Sequence, residues 1–291
     1  MNHLHTQSLG VWYLLGGLAL VLALGVFGYM SLYQAHTTSS VAAASSTAQL
    51  QEKIVALSDS LYATQQGLAA VQERLGGFEN KVGDISGTVD VLEKLRNTDR
   101  ELLQKYSKVF FLNEHYAPPR LEQIEKEYTY NEARPEKVHA EIADYLEDML
   151  NDAKDDNVAL YVRSAYRSFE EQKALKSSYS VTYGAGTANA FSADQGYSEH
   201  QLGTTLDFSA SRQESLTTAF EKTKAFEWLT KNAHKYGFVL SYPKGNSYYI
   251  YEPWHWRFVG KELADDLYDK EKYFYDLEQR EIDEYLPTIF D

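Results

Sequence analysis

The chain has no cysteine among its 291 residues. Disulfides and thiolate metal sites are therefore excluded, and any metal must be held by His, Asp and Glu. Basic residues are also scarce: 28 Lys and Arg stand against 42 Asp and Glu, a formal net charge of −14. A nucleic-acid role needs basic stripes to neutralise phosphates, so no nucleic-acid partner is expected. The acidity reads as a solubility feature. A third absence is local, for Val11 to Tyr33 contains no charged residue.

That uncharged run is long enough to cross about 30 Å of hydrocarbon as a helix. Trp12, Tyr13, Tyr29 and Tyr33 stand near its ends, as interfacial aromatics do. Ala42, Ala43 and Ala44 offer a signal-peptide cleavage site, but a signal peptide's apolar core is normally only about 7–15 residues long. The expectation is an uncleaved single-pass anchor at residues 11–33, after a short cytoplasmic N-terminus at 1–10. Residues 34–49, rich in Ser, Thr and Ala, read as a linker.

A heptad pattern follows. Ile54, Leu57, Leu61, Thr64, Leu68, Val71, Leu75, Phe78, Val82, Ile85, Val89 and Leu92 alternate steps of three and four. This 3.5-residue period predicts a coiled-coil stalk over 50–104, and with it a homo-oligomer. Gly76, Gly77, Gly83 and Gly87 weaken the second half. The rival is a single amphipathic helix lying on its own domain.

Residues 105–291 have a mixed pattern. Pro135 to Lys154 reads as a helix, with Val138, Ile142, Leu146, Met149 and Leu150 on one stripe. Val158 to Tyr166 reads as a buried strand leading into a helix at Phe169 to Lys176. Residues 178–197 read as a long loop over a site. TTLDFS is a short strand, and Ala219 to Tyr236 a helix stopped by Gly237. FVLSYP and SYYIYE read as a hairpin turning at Gly245 and Asn246. The fold class expected is α+β, a small antiparallel sheet with flanking helices behind the transmembrane helix and the stalk.

Three segments carry chemistry: SAYRSFEEQ (Ser164 to Gln172), SEHQLGTTLD (Ser198 to Asp207) and EPWHWR (Glu252 to Arg257). A turn at Gly203 brings His200 and Asp207 to one point. A bend at Pro253 brings Glu252 and His255 together. His200, Asp207 and His255 would give zinc two imidazoles and a carboxylate and leave a fourth position for water, the pattern of a catalytic site. Glu252, beside the metal, is placed to act as general base. Arg163 and Arg167 are both suited to hold a carboxylate, and geometry alone does not separate them.

The three ordered motifs, SxYRSxxxQ, SxHxxGxxxD and ExWHxR, resemble those of the VanY-type D-alanyl-D-alanine carboxypeptidases. That metallopeptidase family also includes D,D-dipeptidases and L,D-carboxypeptidases. The resemblance covers roughly residues 105–270. It implies that His200, Asp207 and His255 bind Zn2+, that Glu252 is the catalytic base, and that Arg167 meets the oxyanion or the substrate's terminal carboxylate. Gln172 and Ser198 are further substrate-binding candidates. Two departures bear on pocket shape: Thr205 where relatives usually have Ala, and Gln195 where many have Pro. The resemblance implies a carboxypeptidase that releases D-Ala from peptidoglycan stem peptides on the extracytoplasmic side of the cell membrane; the alternatives are an L,D-carboxypeptidase or D,D-dipeptidase with the same chemistry, or a non-catalytic envelope scaffold on the stalk. Trp254, Trp256 and the tyrosines at 248, 249 and 251 are expected mainly in packing, and Arg257 as an ion-pair partner.

Overall fold

A computed structural model describes residues 5–106, 110–183 and 193–291. The chain divides into two compact units, residues 1–84 and 85–291.

The first unit is helical. Helix α1 runs from His5 to Asn97, so its last turns belong to the second unit. It is long and apolar enough to cross a membrane, and the apolar window is not buried at all. The heptad residues from Ile54 to Leu92 are exposed as well. Residues 34–49, expected to be a linker, are helical throughout. The segment contains neither Gly nor Pro, and its hydroxyls return to the helix: Thr38 Oγ1 donates to the Gln34 carbonyl (2.6 Å) and Thr47 Oγ1 to that of Ala43 (2.7 Å). Ser and Thr satisfied in this way no longer compete for backbone groups, and the alanines favour the helix.

In the second unit, residues 98–104, expected to end the stalk, instead leave the long helix and fold with the core. Asp99 caps a short 3-10 turn, Arg100–Leu103, and Leu102 and Leu103 are buried. Two sheets follow. β1 (Leu121–Gln123) pairs antiparallel with β2 (Lys137–His139). The larger sheet has the order β3-β4-β6-β5, from Tyr161–Ser164, Thr205–Ser209, His255–Phe258 and Phe238–Leu240, all neighbours antiparallel.

Alternation along β4 and β6 divides hydrophobic from chemical work. Leu206 lies opposite Trp256, and Phe208, Trp256 and Phe258 join the core with them. This face packs with helix α2 (Ala143–Asp155), through Leu146, Met149 and Leu150. Helices α4 (Lys224–Asn232) and α5 (Lys261–Asp269) add Leu229, Leu263 and Leu267 to the same cluster. The opposite parity carries Asp207 against His255 and Thr205 against Arg257. The site is thus built on the middle of the sheet.

Several expected elements come out differently. Pro135–Ile142 is not α-helical: Lys137–His139 is strand β2 paired with β1, His139 Nδ1 accepts from the Glu141 amide (3.2 Å), Ala140–Ile142 is a 3-10 turn, and the α-helix begins only at Ala143. A strand partner from outside the segment overrides the local apolar stripe. Helix α3 (Phe169–Tyr183) runs past the expected end at Lys176. The expected loop over 178–197 is therefore helical to 183, and its residues 184–192 lie outside the described residues. SYYIYE forms no strand, because Asn246 Oδ1 accepts the Tyr248 and Tyr249 amides (2.9 and 2.8 Å) that a ladder would need. β5 pairs instead with the HWRF strand β6. The helix expected from Ala219 is α4 flanked by 3-10 turns, and Gly237 (φ 81°) stops it.

Candidate active site

Strand register assembles the site. Asp207 on β4 lies between Ser164 of β3 and His255 of β6. His200 arrives on the 3-10 turn Glu199–Leu202, which ends at Gly203 with φ 72°. A side chain at Gly203 would press on the His139 amide at 3.0 Å as well as adopt a left-handed backbone. The Gly203 carbonyl accepts from that same amide (2.8 Å), so the turn joining His200 to Asp207 is tied to β2.

His200, Asp207 and His255 are 4, 5 and 2% exposed, and one ligand atom from each lies within 4.8 Å of the others. His200 Nε2 is 3.2 Å from Asp207 Oδ2, and His255 Nδ1 is 3.1 Å from Asp207 Oδ1. Ligand atoms on a tetrahedral zinc with bonds of about 2.0–2.1 Å stand about 3.3 Å apart, so this donor set fits the ion. The far ring nitrogens are fixed too. His200 Nδ1 donates to the Ala165 carbonyl (2.8 Å), which leaves Nε2 turned inward. His255 Nε2 donates to Glu199 Oε2 (2.9 Å), which leaves Nδ1 for the cluster. Outer partners of this kind set the tautomer and orientation of a metal-binding imidazole.

Glu199 went unremarked in the sequence reading. It is fully buried, and Arg257 Nη1 (2.7 Å), Tyr275 OH (2.6 Å), Ser241 Oγ (2.8 Å) and His255 donate to it. Burial alone would raise its pKa, but Arg257 and then His255 hold it well below the usual carboxylate range. Arg257 is the ion-pair member that its sequence suggested, and it also donates to the Leu102 and Gln104 carbonyls. A buried Arg of the same parity as His255 demands a carboxylate, and that demand was the available signal. Tyr242 was missed as well; its ring stacks on His255 at 4.1 Å and 9°.

Burial would lower the His255 pKa, yet its hydrogen bonds to Asp207 and Glu199 push it up to about 10. His200 is lowered, mainly by burial. The Glu252 backbone carbonyl accepts from the His255 amide (3.1 Å), the bend that Pro253 suggested, and its carboxylate lies 3.7 Å from His255 Nδ1. Burial pushes the Glu252 carboxyl up to about 8, against the pull of His255 and Arg167.

Arg167 shares this cavity of about 870 Å³ with Glu252, His200, Asp207 and His255. Its Nη1 donates to Gln172 Oε1 (2.6 Å) and its Nη2 to Ser164 Oγ (2.7 Å). Gln172 is buried and also donates to the Ala193 carbonyl (2.7 Å), so it holds Arg167 in place. Ser198, also buried, lines the cavity. Arg163 lines the same cavity but lies over the Tyr130 ring. Trp256 is core, whereas Tyr249 and Trp254 reach the cavity wall. His139 and His234 stand outside the cluster.

Known proteins share this arrangement of segments. Residues 135–261 match the family model of VanY, D-alanyl-D-alanine carboxypeptidase. YodJ of Bacillus subtilis (strain 168), to which carboxypeptidase activity is ascribed, is 35% identical over 195 residues, 64% of this chain and 71% of YodJ. A D-alanyl-D-alanine carboxypeptidase of Enterococcus faecium is 36% identical over 138 residues, which are 46% of this chain and 41% of that protein. The solved LdcB LD-carboxypeptidase superposes with a TM-score of 0.54 at 33% identity, covering 60% of this chain and 83% of LdcB. With residues 135–261, which hold the three segments of the cavity, matching the family model and YodJ 35% identical over 71% of its length, the chain belongs to the VanY-type family of D-alanyl-D-alanine carboxypeptidases.

Proposed function

We propose that this chain is a zinc-dependent carboxypeptidase that removes the C-terminal residue, D-Ala, from peptidoglycan stem peptides. The observation that carries this reading is the trio His200, Asp207 and His255, with inward-facing donor atoms within 4.8 Å, on the wall of a cavity shared with Glu252 and Arg167. Zinc held there would acidify a water and polarise the scissile carbonyl. Glu252 takes the proton from the attacking water and returns it to the leaving amine. Its raised pKa suits both halves of that transfer. Arg167, braced by Gln172 and Ser164, holds the terminal carboxylate or the developing oxyanion. Ser198, on the cavity wall, contacts the bound peptide.

In this reading residues 11–33 anchor the chain in the cell membrane, with the catalytic unit on the extracytoplasmic side where the stems lie. Residues 50–97 pair with further copies as a coiled coil. A second specificity, L,D rather than D,D, is favoured by the likeness to the LdcB LD-carboxypeptidase. The D,D-dipeptidase chemistry of the wider family uses the same ligands.

The test is to incubate the full chain with tetrapeptide and pentapeptide stems, free or amidated at the C-terminus, and to read products by mass. Loss of one residue from free stems only is expected, and the stem that is cut separates D,D from L,D specificity. Equal cleavage of free and amidated stems would make this an endopeptidase. Arg167→Ala should lower kcat/KM on free stems at least about tenfold.

A further inference from the structure

The cavity is larger than one terminal residue requires. At about 870 Å³ it falls in the upper part of the roughly 300–1,000 Å³ range of small-molecule pockets, room for several residues of peptide. Its lining reaches from the metal cluster along β3 to Arg163 and Tyr130. Arg163 puts a cationic group on this wall in a chain of net charge −14. Several guanidinium groups of this unit pair with carboxylates, Arg134 with Glu136 at 3.3 Å, Arg212 with Glu132 and Arg257 with Glu199, whereas the cavity-lining Arg167 donates to Gln172 and Ser164. Among the described residues, none lies within ion-pair distance of Arg163. Its contacts are the Arg212 carbonyl (3.3 Å) and the face of Tyr130, 4.0 Å from the ring centroid.

The local backbone builds this arrangement. Thr129 bridges to Val162, and the Tyr130 amide donates to the Val162 carbonyl (3.0 Å), so the ring is fixed beside Arg163. The β3–β4 register shifts between Val162 and Ser164, and such irregularities re-aim a side chain. Stacking on an aromatic face orders a guanidinium while leaving its N–H edge for an anion. On the next residue, Ser164 Oγ accepts from Arg167. Two guanidinium groups without carboxylates therefore flank one short stretch of β3 along the cavity wall.

We propose that Arg163, stacked on Tyr130, forms a second carboxylate subsite that binds an acidic residue of the peptide upstream of the scissile bond. Arg167 takes the terminal carboxylate, and Arg163 selects peptides that carry another negative charge within a few residues of it. This rests on the carboxypeptidase reading above, and the experiment separates the two.

Synthetic tetrapeptides ending in D-Ala would carry Glu or Gln at each of the three preceding positions in turn. Affinity is measured by calorimetry on the zinc-loaded full chain bearing Glu252→Gln, so that peptides stay intact, and cleavage is measured on the wild type. At one position Glu should be preferred over Gln by about tenfold to a hundredfold. Arg163→Gln should abolish that preference and leave affinity for the Gln peptide within about twofold. Tyr130→Leu should reduce it by a smaller factor. If Arg163→Gln fails to fold, Arg163→Lys decides, with at least a threefold fall in preference expected and an unchanged preference overturning the proposal. Equal binding of Glu and Gln peptides at all three positions would overturn it, as would an equal loss for both in Arg163→Gln. If the wild type cleaves none of the peptides, the carboxypeptidase reading fails, while the binding contrast still decides the subsite.

Discussion

The two units of this chain treat apolar side chains in opposite ways. In residues 85–291, Leu206, Phe208, Trp256 and Phe258 are at most 3% exposed, and the polar parity of the same strands is left for chemistry. In residues 1–84, Leu22, Phe27, Leu57 and Leu68 are 59–75% exposed. Burying one such side chain gains about 1.5–3 kcal/mol, stabilisation that these residues do not draw from the chain itself. The expectation is that the catalytic unit stands alone and that the helix takes a partner. Lipid suits residues 11–33, which are apolar on every side. Further copies suit the heptads, which are apolar on one stripe.

The contrast breaks most severely if the catalytic unit loses a group that holds it together chemically. His255→Ala removes one metal donor and the partner of both Asp207 and Glu199. Zinc content by atomic absorption should fall from about one per chain to near zero, and turnover with it. Association through the helix should not change. Retention of full zinc would reject His255 as a ligand.

Glu252→Gln is the narrower cut. Zinc and fold should persist while kcat falls about 10²–10⁴-fold, the usual contribution of a general base. Near-normal turnover would remove Glu252 from that role.

A third test uses pH. In the metal-free protein His255 is raised to about 10, so at neutral pH its imidazole is protonated. A metal must displace that proton, so the apparent affinity should rise about tenfold per pH unit between pH 6 and 8, with about one proton released. Calorimetry in buffers of different ionisation enthalpy reads that proton. For stability the sign is as follows: a raised imidazole stabilises the metal-free fold fully below about 6.5, its unfolded value, and that contribution is lost as pH rises toward 10.

The smallest expected effect comes from dividing the chain. Residues 45–104 alone should be helical and self-associate, while residues 85–291 should cleave soluble stems within about twofold of the full chain. A monomeric mass for 45–104 at tens of micromolar in ultracentrifugation would defeat the coiled coil. A collapse of activity in 85–291 would show that the catalytic unit leans on the helix after all.

The sequence by itself determined the uncharged run at 11–33, the heptad spacing and the trio His200, Asp207 and His255. Each is written in local order, as a run, a period or a motif around a turn. Gly203 and Pro253 carried the site further, because a left-handed turn and an interrupted ladder follow from residue type alone. Tertiary structure decided the rest. Pro135–Ile142 has a helical stripe, but its Lys137–His139 is captured by β1, and SYYIYE alternates like a strand but loses its amides to Asn246. Glu199 adjoins His200 in the chain, yet its role depends on Arg257, Ser241 and Tyr275, which are 42 to 76 residues away. Arg163 and Arg167 were equivalent on paper until Tyr130 took one and Gln172 the other. A carboxylate or guanidinium acquires its function from the partners that meet it when the chain closes, and residue spacing does not encode those meetings.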